Sequence, residues 1–469
     1  MKVFKRIVFI AILSFSTSSI SQIKLASFFS DHMVLQQQEK VAIWGYDMPN
    51  TIVSVLGSWG GQSSTEVDQD GKWRLQIQTP VAGGPYELKI KGSTEVLLQD
   101  VLIGEVWFCS GQSNMSMPVR GFSNQPVYDS NEAILNARNP FIRSFDVERK
   151  ASLKPLEDVT GTWKRTESAT VRKFSAIAYF FGKKLQENLN VPIGIIHSSW
   201  GGSTMEAWTN EKTILDFESL SISYKNPDDT DEKRKSPTLL YNAMVHPFLG
   251  YRIKGMIWYQ GESNRKRPEQ YKKLFPAMID SWRSEWNQGM FPFYFVQIAP
   301  FRYKDVNAAF IREAQLQTMQ KVSNVGMVVT LDVGDCTSIH PGEKKIIANR
   351  LAYWALSKAY KTKGIGYSGP VYREVLKNVE GKMTLEFDYT KYGLSSFGKE
   401  LTGFEIAGDD KRFYKAEAKI NDDKTLNVWS AKVKKPVAVR YAFDNCVEGT
   451  LFNTQGLPAS SFRTDNWKE

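Results

Sequence analysis

The sequence predicts an α/β protein whose central parallel-sheet domain is flanked by N- and C-terminal β-rich domains. Between residues 101 and 365, apolar runs typical of buried strands alternate with segments whose apolar residues recur at helical spacing. Residues 23–100 and 366–469 instead contain short runs of alternating apolar and polar residues, with turn residues between them. A chain of 469 residues is long enough for three such domains.

Residues 1–22 are expected to form a secretory signal peptide. Lys2, Lys5 and Arg6 open the chain, an apolar stretch over residues 8–15 follows, and small polar residues lead to Ser21. The apolar stretch is shorter than the roughly 20 residues needed to cross a bilayer. We therefore expect a secreted or periplasmic protein without a membrane span.

The two flanking domains show strand patterns. The N-terminal domain, residues 23–100, is predicted to be a small β-sandwich with strands over Val41–Gly45, Ile52–Leu56, Trp73–Ile77 and Tyr86–Ile90. The C-terminal domain, residues 366–469, shows the same period of two over Met383–Phe387, Leu426–Trp429 and Val437–Phe443.

The central domain, residues 101–365, contains five buried strand runs: Val101–Cys109, Ile193–Ser198, Ile253–Tyr259, Phe293–Ile298 and Val325–Leu331. Helical spacing recurs over Phe174–Leu185, Leu274–Trp282 and Ile347–Trp354. Pro276 is expected to end the pattern around it or to lie in the first turn of that helix. The highly charged residues 225–237 are predicted to be a solvated loop.

Composition argues against several classes of function. The formal net charge is +10, but the basic residues are scattered along the chain, so a nucleic-acid partner is not expected. The four histidines and three cysteines show no metal-ligand spacing, so neither a metal nor another cofactor is expected. The cysteines allow at most one disulfide, and whether Cys109 and Cys336 pair is left open, as is the oligomeric state.

Small and polar residues follow four of the predicted strands. They occupy positions 110–115, 199–203, 260–264 and 332–341. Ligands bind outside the carboxyl ends of the strands in an open α/β sheet, where these four segments meet. The sequence therefore predicts an active site at this edge.

Ser113 and His340 are the best candidates for a nucleophile and its base. Ser113 lies two residues after a glycine in a tight turn, and a serine nucleophile needs a base within hydrogen-bond reach. Of the four histidines, His340 lies in the polar loop after the last strand. His197, inside an apolar strand, is predicted to be a hydrogen-bonded core histidine, and His246 either to pack or to support a residue that contacts the substrate. His32 lies in the N-terminal domain.

Acyl transfer also needs donors for the developing oxyanion. The candidates are the backbone N–H groups of Ser113, Gly201 and Gly202, and the side-chain amide of Gln260. Glu262 would suit a glycosidase only with a second carboxylate, which the motif does not supply.

These segments resemble the sialate O-acetylesterase family of SGNH-type carbohydrate esterases. The resemblance rests on residues 104–115, 199–203, 255–264 and 338–341, with further similarity over 29–36, 456–459 and 462–465. It implies a three-layer α/β/α, flavodoxin-like SGNH-hydrolase domain that removes acetyl esters from sugars, typically sialic acids. It also implies that Ser113 is the nucleophile, His340 the base, and Gln260 with the Gly201-Gly202 turn the oxyanion hole.

The third member of the triad departs from the family pattern. Many such esterases carry an aspartate two or three residues before the histidine, where this chain has Ser338 and Thr337. Either Asp335 orients the imidazole of His340, or a backbone carbonyl does so and leaves a Ser–His dyad.

Arg312 is expected to bind the carboxylate of a sialic acid with its planar guanidinium. The alternative is an ion pair with a neighbouring acid, such as Asp305 or Glu313. The other expected substrate contacts come from the strand ends: Trp200, Glu262 and Asn264.

Two other functions stay open. The same chemistry would serve another acetylated polysaccharide, such as xylan or pectin. A non-catalytic glycan-binding protein would instead stack sugars on aromatic side chains of the β-rich domains, for which the candidates are Trp44, Trp59, Trp73 and Trp429.

Overall fold

A computed structural model describes residues 22–218, 220, 229–379 and 381–467. The predicted signal peptide, apart from Gln22, lies outside these residues, as do residues 225–228 of the predicted charged loop. Among the helices in the described ranges, none combines the length and apolar character that crossing a bilayer requires.

The N-terminal segment forms two small sheets from eight strands: β1 (Lys24–Leu25), β2 (Val34–Gln36), β3 (Lys40–Tyr46), β4 (Ile52–Gly57), β5 (Gln62–Glu66), β6 (Lys72–Gln78), β7 (Gly83–Lys91) and β8 (Glu95–Gly111). β1, β3 and β6 form an antiparallel sheet, and β4 pairs with β5 and β7. β8 pairs with β7 through its first half and continues into the central sheet. The predicted domain boundary at residue 100 therefore falls inside one strand, where that strand becomes buried on both faces.

The central sheet has the order β10-β9-β11-β8-β12-β13-β14. Its remaining strands are β9 (Asn139–Asp146), β10 (Trp163–Thr166), β11 (Ile193–Ser199), β12 (Gly255–Tyr259), β13 (Phe293–Val296) and β14 (Val325–Val328). All neighbours pair in parallel except β10 and β9, which are antiparallel. The sheet thus brings the carboxyl ends of six parallel strands to one edge.

Helices cover both faces of this sheet. They are α1 (Ser113–Ser116), α2 (Ser130–Leu135), α3 (Ser168–Val171), α4 (Ala176–Leu189), α5 (Glu211–Leu215), α6 (Thr230–Lys235), α7 (Leu239–Met244), α8 (Pro268–Trp286), α9 (Ala309–Lys321) and α10 (Lys344–Trp354). Neighbouring residues of β8 face opposite layers: the ring of Trp107 lies 5.0 Å from that of Phe181 in α4, and Phe108 lies 5.4 Å from Trp286 in α8. The domain is therefore a three-layer α/β/α structure.

Two local predictions were wrong. Pro276 lies inside α8 without ending it, because the buried face of this helix, including Leu274, Met278 and Trp282, holds it against the core. Part of the predicted charged loop is the helix α6, whose first turn is capped by the side chain of Asp229 and whose last turn is basic.

The C-terminal segment is β-rich, with two antiparallel sheets of order β15-β16-β21-β20 and β19-β18-β22-β24, and a short β17–β23 ladder. Its strands are β15 (Val371–Val379), β16 (Lys382–Asp388), β17 (Leu394–Ser395), β18 (Phe404–Ala407), β19 (Phe413–Lys415), β20 (Glu417–Ile420), β21 (Leu426–Trp429), β22 (Ala438–Tyr441), β23 (Phe452–Asn453) and β24 (Phe462–Arg463). A disulfide between Cys336 and Cys446 joins this segment to the loop after β14, and Cys109 is buried and free. The disulfide partner of Cys336, which the sequence left open, is therefore Cys446 and not Cys109.

Candidate active site

Ser113 lies at the carboxyl end of β8, as predicted. The preceding Gly111 has φ +143°, and a Cβ there would come within 2.2 Å of the carbonyl oxygen of Tyr259 on β12. The same carbonyl accepts a hydrogen bond from the backbone N–H of Gln112 (2.9 Å). Only glycine therefore allows the tight turn that places Ser113, half-exposed, at the first residue of α1.

The turn after β11 lies against Ser113. A Cβ on Gly201 would be 3.3 Å from the Cβ of Ser113, and the N–H of Trp200 donates to the carbonyl of Gly111 (3.1 Å). Gly202 has φ +77°, a conformation that favours glycine. The backbone of this turn is therefore close enough to supply donors beside the nucleophile, and Trp200 stays half-exposed at the same place.

His340 is held with one ring nitrogen free. Its Nδ1 lies 2.7 Å from Oε1 of Gln125, whereas its Nε2 is buried and has no hydrogen-bond partner among the described residues. An amide oxygen can only accept, so Nδ1 carries the proton and Nε2 is left as the basic atom. Burial, together with the positive charge of Lys344, lowers the pKa of His340 to about 4.

Gln125 occupies the place expected for a triad acid, and sequence reasoning missed it. Phe122 and Gln125 exchange both backbone hydrogen bonds (3.0 and 3.1 Å) across a tight turn. This turn presents the amide of Gln125 and the ring of Phe122 to one imidazole, with 5.4 Å between the ring centres of Phe122 and His340. No motif marks Gln125, which is 215 residues from His340 along the chain.

Asp335 does not orient His340. Its exposed carboxylate accepts hydrogen bonds from the backbone N–H and the hydroxyl of Thr337 (2.7 Å each), which keep the pKa of Asp335 below its usual value. The carboxylate closes a local turn instead of reaching the imidazole, so the assignment of Asp335 to the triad was wrong. The side chain of Gln125, rather than a backbone carbonyl, makes the contact with Nδ1.

Asn114 ties the nucleophile turn to the histidine loop. Its Nδ2 donates to the carbonyl of Ile339 (3.0 Å) and to Oε1 of Glu262 (2.6 Å), and its Oδ1 accepts from Nζ of Lys344 (2.5 Å). Burial lowers the pKa of Lys344 to about 7 and raises that of Glu262. This buried cluster fixes the residue after Ser113 relative to the residue before His340.

Three motif residues support the site instead of facing the substrate. Gln260 is fully buried, and its Nε2 donates to the carbonyl of Ser203 (3.2 Å) and to Oδ1 of Asn264 (2.7 Å), so its amide is not a free oxyanion donor. Asn264 is also buried and accepts from the N–H of Met205 (3.0 Å). Glu262 is bound to Asn114, as described above. The predicted roles of Gln260 in the oxyanion hole, and of Asn264 and Glu262 in substrate binding, were wrong because these polar groups are used inside the fold.

Arg312 was also placed wrongly. It is fully buried, and its guanidinium donates to Oγ of Ser461 (3.1 Å) and to the carbonyls of Ala442 (3.1 Å) and Asp444 (2.5 Å). Helical spacing alone did not reveal that this side chain faces the C-terminal segment. Arg312 joins α9 to that segment and does not reach the substrate edge.

The alternative partners of Arg312 are engaged elsewhere. Asp305 pairs with Arg265 (2.7 Å), and Glu313 pairs with Arg463 (2.8 Å). The suggested ion pair was therefore wrong as well.

A different arginine lies at the edge of the site. Nη1 of Arg234, in α6, donates to the carbonyl of Gly201 (3.0 Å), and its Nη2 also contacts Asp231. A Cβ on Gly202 would be 2.8 Å from Nη1, so the glycine makes room for the guanidinium on the turn. The side chain of Arg234 is 30% exposed. Because Arg234 lies within a run of charged residues, the sequence did not predict that it contacts the Gly201-Gly202 turn.

The other histidines and tryptophans fit structural roles more than sugar binding. His197 is bonded to Asp146 and Ser199, and His246 to the carbonyl of Leu156 (2.9 Å), as expected of packed histidines. Trp73 is buried in the core. The other three candidates for sugar stacking, Trp44, Trp59 and Trp429, are half-buried, and cations lie over two of their rings: Arg74 over Trp44 and Lys382 over Trp429.

Comparisons with known proteins identify the family. The family described as "Carbohydrate esterase, sialic acid-specific acetylesterase" matches residues 103–348. The sialate O-acetylesterase of Homo sapiens is 31% identical over 390 residues, covering 74% of this chain and 73% of the human protein. That of Mus musculus is 28% identical over 447 residues, covering 81% of this chain and 82% of the mouse protein.

A solved structure supports the same assignment. The crystal structure of a carbohydrate acetylesterase from Xanthomonas citri is 36% identical and has a TM-score of 0.87, covering 95% of this chain and 100% of that chain. The family predicted from the four sequence segments is therefore confirmed. The chain is a carboxylic ester hydrolase and belongs to the sialic acid-specific acetylesterase family of carbohydrate esterases.

Proposed function

We propose that this protein is a serine esterase that removes O-acetyl groups from sialic acids through an acetyl-Ser113 intermediate. One observation carries the chemistry: Ser113 stands beside the Gly201 turn, in a site where His340 keeps a free Nε2 and a fixed Nδ1. A non-catalytic glycan-binding protein would not need this arrangement.

In the proposed first step, Oγ of Ser113 attacks the acetyl carbonyl while its proton passes to Nε2 of His340. Backbone N–H groups of Ser113 and of the Gly201-Gly202 turn stabilise the oxyanion. When the C–O bond to the sugar breaks, His340 returns the proton to the leaving sugar oxygen. Water then attacks the acetyl-serine with His340 again as base, which releases acetate and restores the serine.

Replacing Gln125 with alanine should lower kcat for p-nitrophenyl acetate about 10- to 100-fold, because the imidazolium formed during the reaction loses a charge-assisted hydrogen bond. Gln125→Glu keeps an acceptor and should retain most of the activity. Ser123→Ala, an exposed change in the same turn, is the control. A Gln125→Ala enzyme as active as the control would contradict the role of Gln125.

Arg234 supports an acidic sugar as the substrate. Its guanidinium is anchored on the turn beside the nucleophile and keeps N–H groups beyond those given to Gly201 and Asp231. A second candidate is another acetylated glycan, because the Xanthomonas citri enzyme that this chain resembles is described as a carbohydrate acetylesterase, a description not restricted to sialic acids. Acetate release from O-acetylated N-acetylneuraminic acid and from acetylated xylan, measured side by side, tests the two.

Replacing Arg234 with glutamine should raise KM for O-acetylated sialic acid about tenfold or more, because a charge-assisted hydrogen bond to the sugar carboxylate is lost. The effect on p-nitrophenyl acetate, which has no carboxylate, should be much smaller. Lys233→Gln removes the same charge from the same helix and serves as the control. Equal losses on both substrates would mean that Arg234 supports the turn and does not bind the sugar acid.

We also propose that the protein acts outside the cytoplasm. Residues 1–22 have the charge and apolar pattern of a signal peptide, and the Cys336–Cys446 disulfide suits an oxidising compartment. The mass of the protein recovered from the periplasm or medium of expressing cells tests cleavage near Ser21. An uncleaved chain retained in the cytoplasm would contradict export.

A further inference from the structure

We propose that a hydrogen-bonded chain of four side chains, Ser116–Ser199–His197–Asp146, positions the Gly201-Gly202 turn against the nucleophile. This inference rests on the proposed esterase mechanism. It makes Ser199 and Ser116 positioning residues for a reaction in which neither contacts the substrate.

The four side chains are joined by three short contacts. Oγ of Ser116 lies 2.6 Å from Oγ of Ser199, Oγ of Ser199 lies 2.6 Å from Nε2 of His197, and Nδ1 of His197 lies 2.6 Å from Oδ1 of Asp146. The first three residues are buried, whereas the side chain of Asp146 is 52% exposed. The chain therefore runs from the interior to the surface.

The carboxylate at one end of the chain fixes the direction of the bond from His197 to Asp146. The carboxylate of Asp146 is ionised at neutral pH and only accepts, so Nδ1 of His197 carries the proton. In the neutral imidazole, Nε2 of His197 then accepts from the hydroxyl of Ser199, and the oxygen of Ser199 accepts from the hydroxyl of Ser116. Each hydroxyl then donates once.

The chain connects two parts of the proposed site. Ser116 lies in α1, the same short helix that begins with Ser113. Ser199 is the last residue of β11 and directly precedes the turn at residues 200–202. His197 and Asp146 are paired across the parallel strands β11 and β9, which anchors the other end of the chain in the sheet.

Ser199, His197 and Asp146 are the residue types of a catalytic triad, but the serine is not accessible to a substrate. Ser199 is only 3% exposed, so its hydroxyl cannot reach an ester of a sugar. Its oxygen is also occupied on both sides, by Ser116 and by His197. The role that the geometry supports is to hold the oxyanion donors at a fixed distance from Ser113, since small displacements of such groups cost about 100-fold in rate.

Ser199→Ala should lower kcat for p-nitrophenyl acetate about 10- to 100-fold and change KM less than about threefold, because the donors act mainly in the transition state. Ser199→Thr keeps the hydroxyl and should recover most of kcat. The matched control is Ser198→Ala: Ser198 is the preceding residue of the same strand, fully buried, and its hydroxyl donates to the carbonyl of Met244 (2.8 Å). It should lower the melting temperature but not kcat of the folded enzyme.

Equal kcat values for Ser199→Ala and Ser198→Ala, after correction for the folded fraction, would overturn the proposal. So would a Ser199→Thr enzyme as slow as Ser199→Ala. If Ser199→Ala does not fold, Ser116→Ala decides, because it cuts the link to α1 and leaves the Asp146–His197–Ser199 contacts in place. A wild-type enzyme inactive on all acetyl esters would instead refute the proposed function itself.

Discussion

Replacing Ser113 with alanine should reduce kcat for p-nitrophenyl acetate about 10⁴-fold or more without loss of the fold. The expected reason is that the hydroxyl that attacks the acetyl carbonyl in the proposed mechanism is removed. Ser113 is half-exposed, so removing its Oγ leaves no buried cavity. Ser263→Ala, in the short helical turn that follows the neighbouring strand β12 and equally half-exposed, is the matched control and should stay near wild-type activity.

Two further measurements make this prediction sharper. Mass spectrometry of the quenched wild-type enzyme should find an acetyl group on the peptide that contains Ser113, and none on that peptide in Ser113→Ala. A Ser113→Ala enzyme that kept a tenth of the activity would contradict the assignment. If Ser199→Ala, rather than Ser113→Ala, abolished turnover completely, the nucleophile would have to be moved to the triad-like chain at His197.

The sequence was sufficient to predict which strand-end residues lie at this edge of the sheet. Ser113, the Gly201-Gly202 turn and His340 follow buried strands, and parallel strands bring their carboxyl ends to one edge whatever the details of packing. The positive φ values of Gly111 and Gly202 also explain why glycine stands at these turns. These predictions depended only on the order of strands and helices along the chain, which the apolar patterns indicate.

Side-chain direction could not be predicted in the same way. Gln260, Glu262 and Asn264 lie in the expected segment, but they are buried and bind one another or their neighbours. A polar residue at a strand end either faces the substrate or supports a residue that does, and the two cases look alike in one sequence. The predicted role of Arg312 was wrong for a related reason. The C-terminal segment that covers this side chain is more than 120 residues away along the chain.

The sequence did not predict contacts between segments that are far apart along the chain. Gln125 reaches His340 from a turn with no motif, and Arg234 reaches Gly201 from a run of charges that predicted a solvated loop. Both contacts depend on tertiary packing of segments that carry no periodic signal. They are also the contacts on which the orientation of the base and the choice of an acidic substrate are proposed to depend.

His340→Ala should lower kcat about 10⁴-fold, since a triad-type base is removed. His246→Ala, which removes a half-buried histidine bonded to a backbone carbonyl, is the control and should keep its activity. The pH dependence adds a second expectation. The base must be neutral, so kcat/KM is lost as pH falls through the pKa of His340, which burial and Lys344 place at about 4.

The acid limb of the wild-type enzyme is therefore expected near pH 4, below the range of 6 to 7 typical of an unperturbed histidine. Lys344, with a pKa of about 7, is protonated at pH 4, so its charge is present where His340 titrates. Lys344→Met removes that charge and should move the acid limb to higher pH, while burial still keeps it below 6.5. A wild-type limb at pH 6 to 7 that Lys344→Met leaves unmoved would show that His340 titrates as an exposed imidazole, and that the buried cluster at Asn114 does not act on the base.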